Sequence, residues 1–125
     1  MAWPLYHVAA KSQEWGYAVE ATGNFRDGLM HAQTDRFSLH LIDVVLPDGD
    51  GIELCRRIRI FDLLTPIVIY SNNEELETDA IKAGAHSFVW KGGDLNDRLK
   101  REISLLIGSQ VERPDVVPAP SPIYD

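Results

Sequence analysis

Three polar residues directly follow apolar runs: Asp43 after SLHLI, Ser71 after PIVIY and Lys91 after SFVW. A carboxylate can attack a phosphoryl phosphorus, while a hydroxyl and an ammonium hold the phosphoryl oxygens as charge redistributes. An anionic nucleophile approaching an anionic donor also calls for a divalent cation. Singly, each of the three reads equally well as the polar residue that ends a strand. Their recurrence at three matching ends is what makes them a candidate site.

Positioning them requires three strands: SLHLIDVV from residue 38, PIVIYS over 66–71 and SFVW over 87–90. PIVIYS is the near-continuous apolar run of a strand covered on both faces. YAVEAT, with Tyr17, Val19 and Ala21 alternating, predicts another strand. Helical spacing appears between them. Asn24 caps a helix whose Phe25, Leu29 and Ala32 share a face. Ile52, Cys55 and Ile58 mark a second helix, with Arg56, Arg57 and Arg59 on its wet side. Residues 74–83 form a third, ended by Gly84, and Leu95, Leu99, Ile103 and Leu106 mark a last one. At the start, Leu5, Val8, Ala9 and Trp15 predict a helix over 4–15, with Pro4 in its first turn. Strand–helix alternation with short connections predicts an α/β fold, a parallel sheet with helices on both faces. Ligands of such sheets bind beyond the carboxyl ends of the strands, where Asp43, Ser71 and Lys91 fall.

The 125 residues, 45 % hydrophobic and 25 % charged, fit one domain with a single core. That domain is expected over 1–108, followed by a proline-rich tail or linker over 109–125. A net charge of -7, from 19 acids against 12 bases, argues against direct nucleic-acid binding and against anionic membranes. The sequence has no apolar run long enough to span a bilayer and no signal-peptide pattern, so a cytoplasmic location is the default expectation. Cys55 is the one cysteine and reads as a small core hydrophobe.

Other chemistries fit poorly. DGDG at 48–51 lacks the later ligands of a calcium loop, since Ile52 takes the next ligand position. An aspartyl-phosphate phosphatase would want a second acid two residues past the nucleophile, where Val45 stands. His7, His31, His40 and His86 show no metal-ligand spacing along the chain and read as solvated or packed.

From about Leu5 to Ile107 the sequence resembles the receiver domain of bacterial two-component response regulators, which has a flavodoxin-like (CheY-like) fold. LIDVVLPDGDGIELCRRIR is similar to the family's segment of strand, phosphoacceptor aspartate, Leu-Pro and Asp-Gly loop, and third helix. The resemblance makes Asp43 the phosphoacceptor, Pro47 and Gly51 the shapers of the loop, and the Val45 backbone carbonyl a magnesium ligand beside Asp43. TPIVIYS resembles the fourth strand, with Ser71 as switch hydroxyl. AGAHSFVWK resembles the fifth, with Phe88 as switch aromatic and Lys91 as phosphate-binding lysine.

The implied function is phosphorelay signalling without enzymatic activity of its own. Asp43 would accept a phosphoryl group from a histidine kinase or histidine phosphotransfer protein, and a changed surface would be read by a downstream protein. Mg²⁺ is the cofactor the resemblance implies. The family's first strand, ending in two magnesium-binding acids, has no counterpart when residues 4–15 are read as a helix; the acids would then fall near Met1 and Ala2. The interior slot of the sheet would be filled by an upstream stretch, by another chain in a strand- or tail-exchanged homodimer, or by the tail around Asp115–Val117. The competing function is a degenerate receiver, a phosphorylation-independent protein-interaction or dimerisation module. Asn72 and Gly92 also depart from the pattern; the usual residue at position 92 is proline, and a trans peptide with a remodelled loop is expected there.

Overall fold

A computed structural model gives the fold and describes residues 5–8 and 19–107. The elements are β1 (Leu5–Val8), β2 (Val19–Thr22), α1 (Phe25–Thr34), β3 (Leu39–Asp43) and a two-residue pair, β4 (Val45–Leu46) with β5 (Gly49–Asp50). There follow α2 (Gly51–Phe61), β6 (Ile67–Ser71), a 3₁₀ turn (Glu74–Leu76), α3 (Glu77–Lys82), β7 (Ser87–Trp90) and α4 (Leu95–Ile107). The main sheet has the order β2-β1-β3-β6-β7, all parallel.

β1 corrects the sequence reading. Leu5–Val8 is a strand, not the start of a helix, and it fills the interior slot that was expected to be missing or replaced. It pairs with β2 from Leu5↔Val19 to Val8↔Thr22 and with β3 from Leu5↔Leu39 to Val8↔Ile42. Both rows of its backbone groups are therefore matched within this chain, with no need for a second copy or for the tail. The remainder of the predicted first helix, residues 9–15, and the tail over 109–125 lie outside the described residues.

Two apolar layers sandwich the sheet. On one side Tyr6, Ile42, Ile52, Leu54, Cys55, Ile58, Ile67 and Ile69 pack with α1, α2 and α3. On the other, Leu39, Leu41, Val68, Tyr70 and Val89 pack with Leu99 and Ile103 of α4. Alternate residues of β3 and β6 thus point to opposite layers, which is why these strands read as unbroken apolar runs. α1 starts where expected: the Asn24 side chain accepts the Asp27 N–H at 2.8 Å. Gly84, with φ of 114°, closes the turn after α3, a conformation that costs a residue with a Cβ.

One helix face differs from expectation. Arg56 and Arg57 are exposed and both engage Glu53. Arg59 instead turns inward and donates to the carbonyls of Gly84 (2.9 Å), Asp62 (3.0 Å) and Thr65 (2.8 Å), tying α2 to the loops that precede β6 and β7.

Candidate phosphoacceptor site

β3, β6 and β7 run parallel and end together, which brings Asp43, Ser71 and Lys91 to one edge of the sheet. Asp43 pairs with Tyr70 across β3–β6, and Ser71 pairs with Trp90 across β6–β7, so Ser71 and Lys91 each lie one step beyond those rows. Lys91 Nζ donates to Asp43 Oδ2 at 2.9 Å. The side chains are 21 % and 13 % exposed, so the pair is largely withdrawn from water but keeps an opening. The other carboxylate oxygen, Oδ1, accepts the Val45 N–H at 3.1 Å.

Backbone hydrogen bonds also fix the chain around Asp43. The Val44 N–H donates to the Tyr70 carbonyl (3.1 Å) and the Gly51 N–H to the Val44 carbonyl (2.8 Å). The Lys91 N–H donates to the Ser71 carbonyl (2.8 Å), so β6 also anchors the lysine. Lys91 Nζ lies 5.3 Å from the centre of the Tyr70 ring. Burial, with the Asp43 charge adding to it, pushes the Tyr70 hydroxyl well above its ordinary range, so it stays neutral there.

Ser71 is buried, and its hydroxyl accepts the Asn73 N–H at 3.0 Å, forming the turn that leads into the 3₁₀ segment. It stands at the site's edge, and this acceptor role leaves its O–H free to donate elsewhere. Phe88 is partly buried against the core on the α1–α3 side of the sheet. The Val45 side chain is exposed and its residue pairs with Asp50 in the short β4–β5 ladder.

Two features of the site edge have no sequence signal. Asp48 reaches across to α1 and accepts the Phe25 N–H (2.6 Å) and the Arg26 N–H (3.1 Å). The Phe25 N–H above all, helped by the Arg26 N–H and opposed by partial desolvation, holds its carboxyl below the usual range. Trp90 donates its indole N–H to the Asn72 carbonyl at 3.2 Å, and its ring covers Gly92 so closely that a Cβ there would overlap it. A side chain at position 92 would have to displace the half-exposed Trp90 ring. No described peptide bond is cis, as expected for glycine at that position.

The donor set among the described residues does not fit the magnesium ion that the family implies. Asp43 supplies one carboxylate, and an ammonium and an amide occupy its two oxygens. The nearby Asp50 carboxylate accepts the Ile52 N–H at 2.7 Å as the cap of α2, while Asp48 caps α1. With β1 at Leu5–Val8, the residues that follow the first strand are Ala9 and Ala10, which carry no carboxylate. The acid-pair positions therefore correspond to these alanines and not to Met1 and Ala2.

The family model for the response regulator receiver domain matches residues 7–103. Among curated proteins, the chain is 34 % identical over 104 residues to the KDP operon transcriptional regulatory protein KdpE of Escherichia coli, covering 80 % of this chain and 45 % of that one. It is 32 % identical over 88 residues to the uncharacterized transcriptional regulatory protein YkoG of Bacillus subtilis, covering 69 % and 39 %. The chain thus spans less than half the length of these relatives. Among solved structures, it superposes on a CheY-like receiver domain from Methanospirillum hungatei with a TM-score of 0.74 at 21 % identity, covering 85 % of this chain and 94 % of that one. Chemotaxis response regulator CheY4 of Vibrio cholerae superposes with a TM-score of 0.73 at 23 % identity, covering 85 % and 100 %. Matched fold, strand order and family model agree: the chain belongs to the response regulator receiver domain family, with the flavodoxin-like α/β fold.

Proposed function

We propose that this domain accepts a phosphoryl group on Asp43 from a histidine kinase or histidine phosphotransfer protein and passes the signal to a downstream protein. The contact between Lys91 Nζ and Asp43 Oδ2 carries the proposal. It supports the reading because a carboxylate and an ammonium meet at the carboxyl end of a parallel sheet, where they would serve as nucleophile and phosphoryl-holding cation.

In the transfer, a carboxylate oxygen of Asp43 bonds to phosphorus as the phosphorus–nitrogen bond of the donor phosphohistidine breaks and the imidazole leaves. Lys91 keeps its position and exchanges a carboxylate oxygen for a phosphoryl oxygen, compensating the added negative charge. The Ser71 hydroxyl can donate its own proton to a phosphoryl oxygen while still accepting the Asn73 N–H. A shift of Ser71 toward the phosphoryl group would therefore pull on the loop before α3, and Phe88 would follow on the same side of the sheet.

The test uses acetyl phosphate or beryllofluoride, with and without magnesium, on the protein and on Asp43→Asn. Asp43-dependent gain of phosphoryl mass, with amide shifts in the loop after β6, is the expected result. No Asp43-dependent change in either measurement would overturn the proposal and leave a phosphorylation-independent interaction module. The absence of carboxylates at positions 9 and 10 favours that second reading.

A further inference from the structure

On the far edge of the sheet from β7, three potential metal ligands converge from a strand and a helix. Glu20 comes from edge strand β2, while His31 and Asp35 come from the last turn and C-cap of α1. One ligand atom from each lies within 4.8 Å of the others. His31 Nδ1 is 3.7 Å from Asp35 Oδ2, too long for a hydrogen bond. That nitrogen is shielded from solvent and has no hydrogen-bond partner, although the His31 ring is 42 % exposed.

Ring stacking, strand pairing and a helical turn hold this group in place. The His31 ring stacks on buried Tyr6, centroids 5.7 Å apart and planes 19° from parallel. Tyr6 is the β1 residue paired with Glu20, so Glu20 stands in the same sheet row as the ring on which His31 stacks. His31 and Asp35 are four residues apart, one helical turn, and the Asp35 N–H donates to the His31 carbonyl at 2.9 Å.

We propose that Glu20, His31 and Asp35 bind a divalent transition-metal ion of the zinc class, clipping edge strand β2 to the end of α1. An imidazole nitrogen with two carboxylates suits such an ion better than magnesium or calcium, which favour all-oxygen sets. Metal–ligand bonds of about 2.0–2.2 Å place ligand atoms about 3.3 Å apart in a tetrahedron. The pair at 3.7 Å is already near that separation, and the third atom closes by side-chain rotation. Water completes the coordination, since the Asp35 side chain is 50 % exposed. Glu20 shares a sheet row with Tyr6 and His40, and Asp43 lies three residues further along β3. The ion would therefore sit apart from the phosphoacceptor.

The test is calorimetric titration of metal-free protein with zinc chloride, alongside thermal melts with zinc and with magnesium. One zinc ion per chain and a rise in melting temperature with zinc alone are expected. Glu20→Gln and Asp35→Asn, both at exposed positions, should each weaken zinc binding on the order of tenfold or more while leaving the metal-free melting temperature unchanged. His31→Gln should remove binding. No binding at micromolar zinc, or binding that survives all three substitutions, would overturn the proposal.

Discussion

Gly51 packs against the backbone carbonyl of Asp43 so closely that a Cβ at position 51 would overlap the oxygen and crowd the Ile42 side chain. The glycine opens α2, and its N–H holds the Val44 carbonyl. The spacing from Asp43 to Gly51 is thus a steric requirement of the site. Gly51→Ala must move backbone and should lower stability by about 1–3 kcal/mol in urea unfolding. At Gly49 the nearest atoms to a Cβ belong to the Phe25 side chain, at 2.8–3.1 Å, all farther than the Asp43 oxygen lies from a Cβ at Gly51, so Gly49→Ala should cost less. Equal losses at the two positions would show that the Asp43 carbonyl is not the constraint.

The Ser71 hydroxyl separates a structural role from a signalling one. Its hydrogen bond to the Asn73 N–H stabilises the loop in the unmodified protein, so Ser71→Ala should cost roughly 1 kcal/mol. Ser71→Thr retains the acceptor and should recover most of that stability. If the hydroxyl also contacts the phosphoryl group, amide shifts of the loop on beryllofluoride addition shrink in the alanine variant and persist in the threonine variant. Loop shifts of equal size in both variants would confine Ser71 to capping the turn.

Arg59 satisfies three carbonyls at once, and its side chain spans α2, the loop before β6 and the turn before β7. Arg59→Met keeps the apolar stem and removes every donor, and should cost about 2–3 kcal/mol by leaving partly buried carbonyls unpaired. Arg59→Lys should recover only a part, because an ammonium cannot reproduce the planar fork. Urea midpoints of the two variants against the parent protein provide the measurement.

Much of the site was legible because strand ends are local signals. A polar residue closing an apolar run marks the edge of a parallel sheet, and three such residues in alternating α/β segments must meet there. β1 was hidden because Leu5 and Val8 have helical spacing, and four residues are too few to distinguish the two periods. Arg59 lies seven residues from Ile52, on the apolar side of α2, so helical phase already opposed its assignment to the wet side. The Glu20, His31 and Asp35 group had no sequence signal, because only the pairing of β1 with β2 brings the edge strand beside α1.

Acid lability should follow from His40. Its side chain is 2 % exposed, with Nε2 3.9 Å from Asp62 Oδ2. Burial lowers its pKa from the ordinary 6.5, Arg59 adds to that lowering, and the opposing pull of Asp62 does not cancel it. The unfolded chain then binds a proton that the folded one refuses, so stability declines as pH falls through 6.5. His86 acts in the same direction, through burial and Arg59. Burial alone would raise Asp62, but His40, Thr65 and the Leu64 amide outweigh it and hold the carboxyl low. Asp62 therefore adds a second loss below its ordinary 3.8. Urea midpoints measured across about pH 8 to 5 should fall toward acid, less steeply for His40→Gln. An unchanged slope in that variant would clear His40 of the effect.

Tyr6 offers the sharpest test of the first strand. It is fully buried in β1, stacks on Phe37 at 4.4 Å, shares a hydrogen bond with the Thr22 hydroxyl (2.9 Å) and donates to the Asp27 carbonyl (3.2 Å). Burial, with Asp27 and Glu20 adding to it and the Thr22 hydrogen bond opposing, pushes its hydroxyl up to about 12. If Leu5–Val8 fills the central slot, Tyr6→Ala opens a cavity among three strands and α1 and should cost about 3–5 kcal/mol. Tyr6→Phe keeps the ring stack and should lose only about 1 kcal/mol, from the hydroxyl's two contacts. Were the segment a surface helix, as its spacing alone suggests, both substitutions would be nearly silent. A large loss for alanine with a small one for phenylalanine therefore distinguishes a core strand from a peripheral helix without any structure determination.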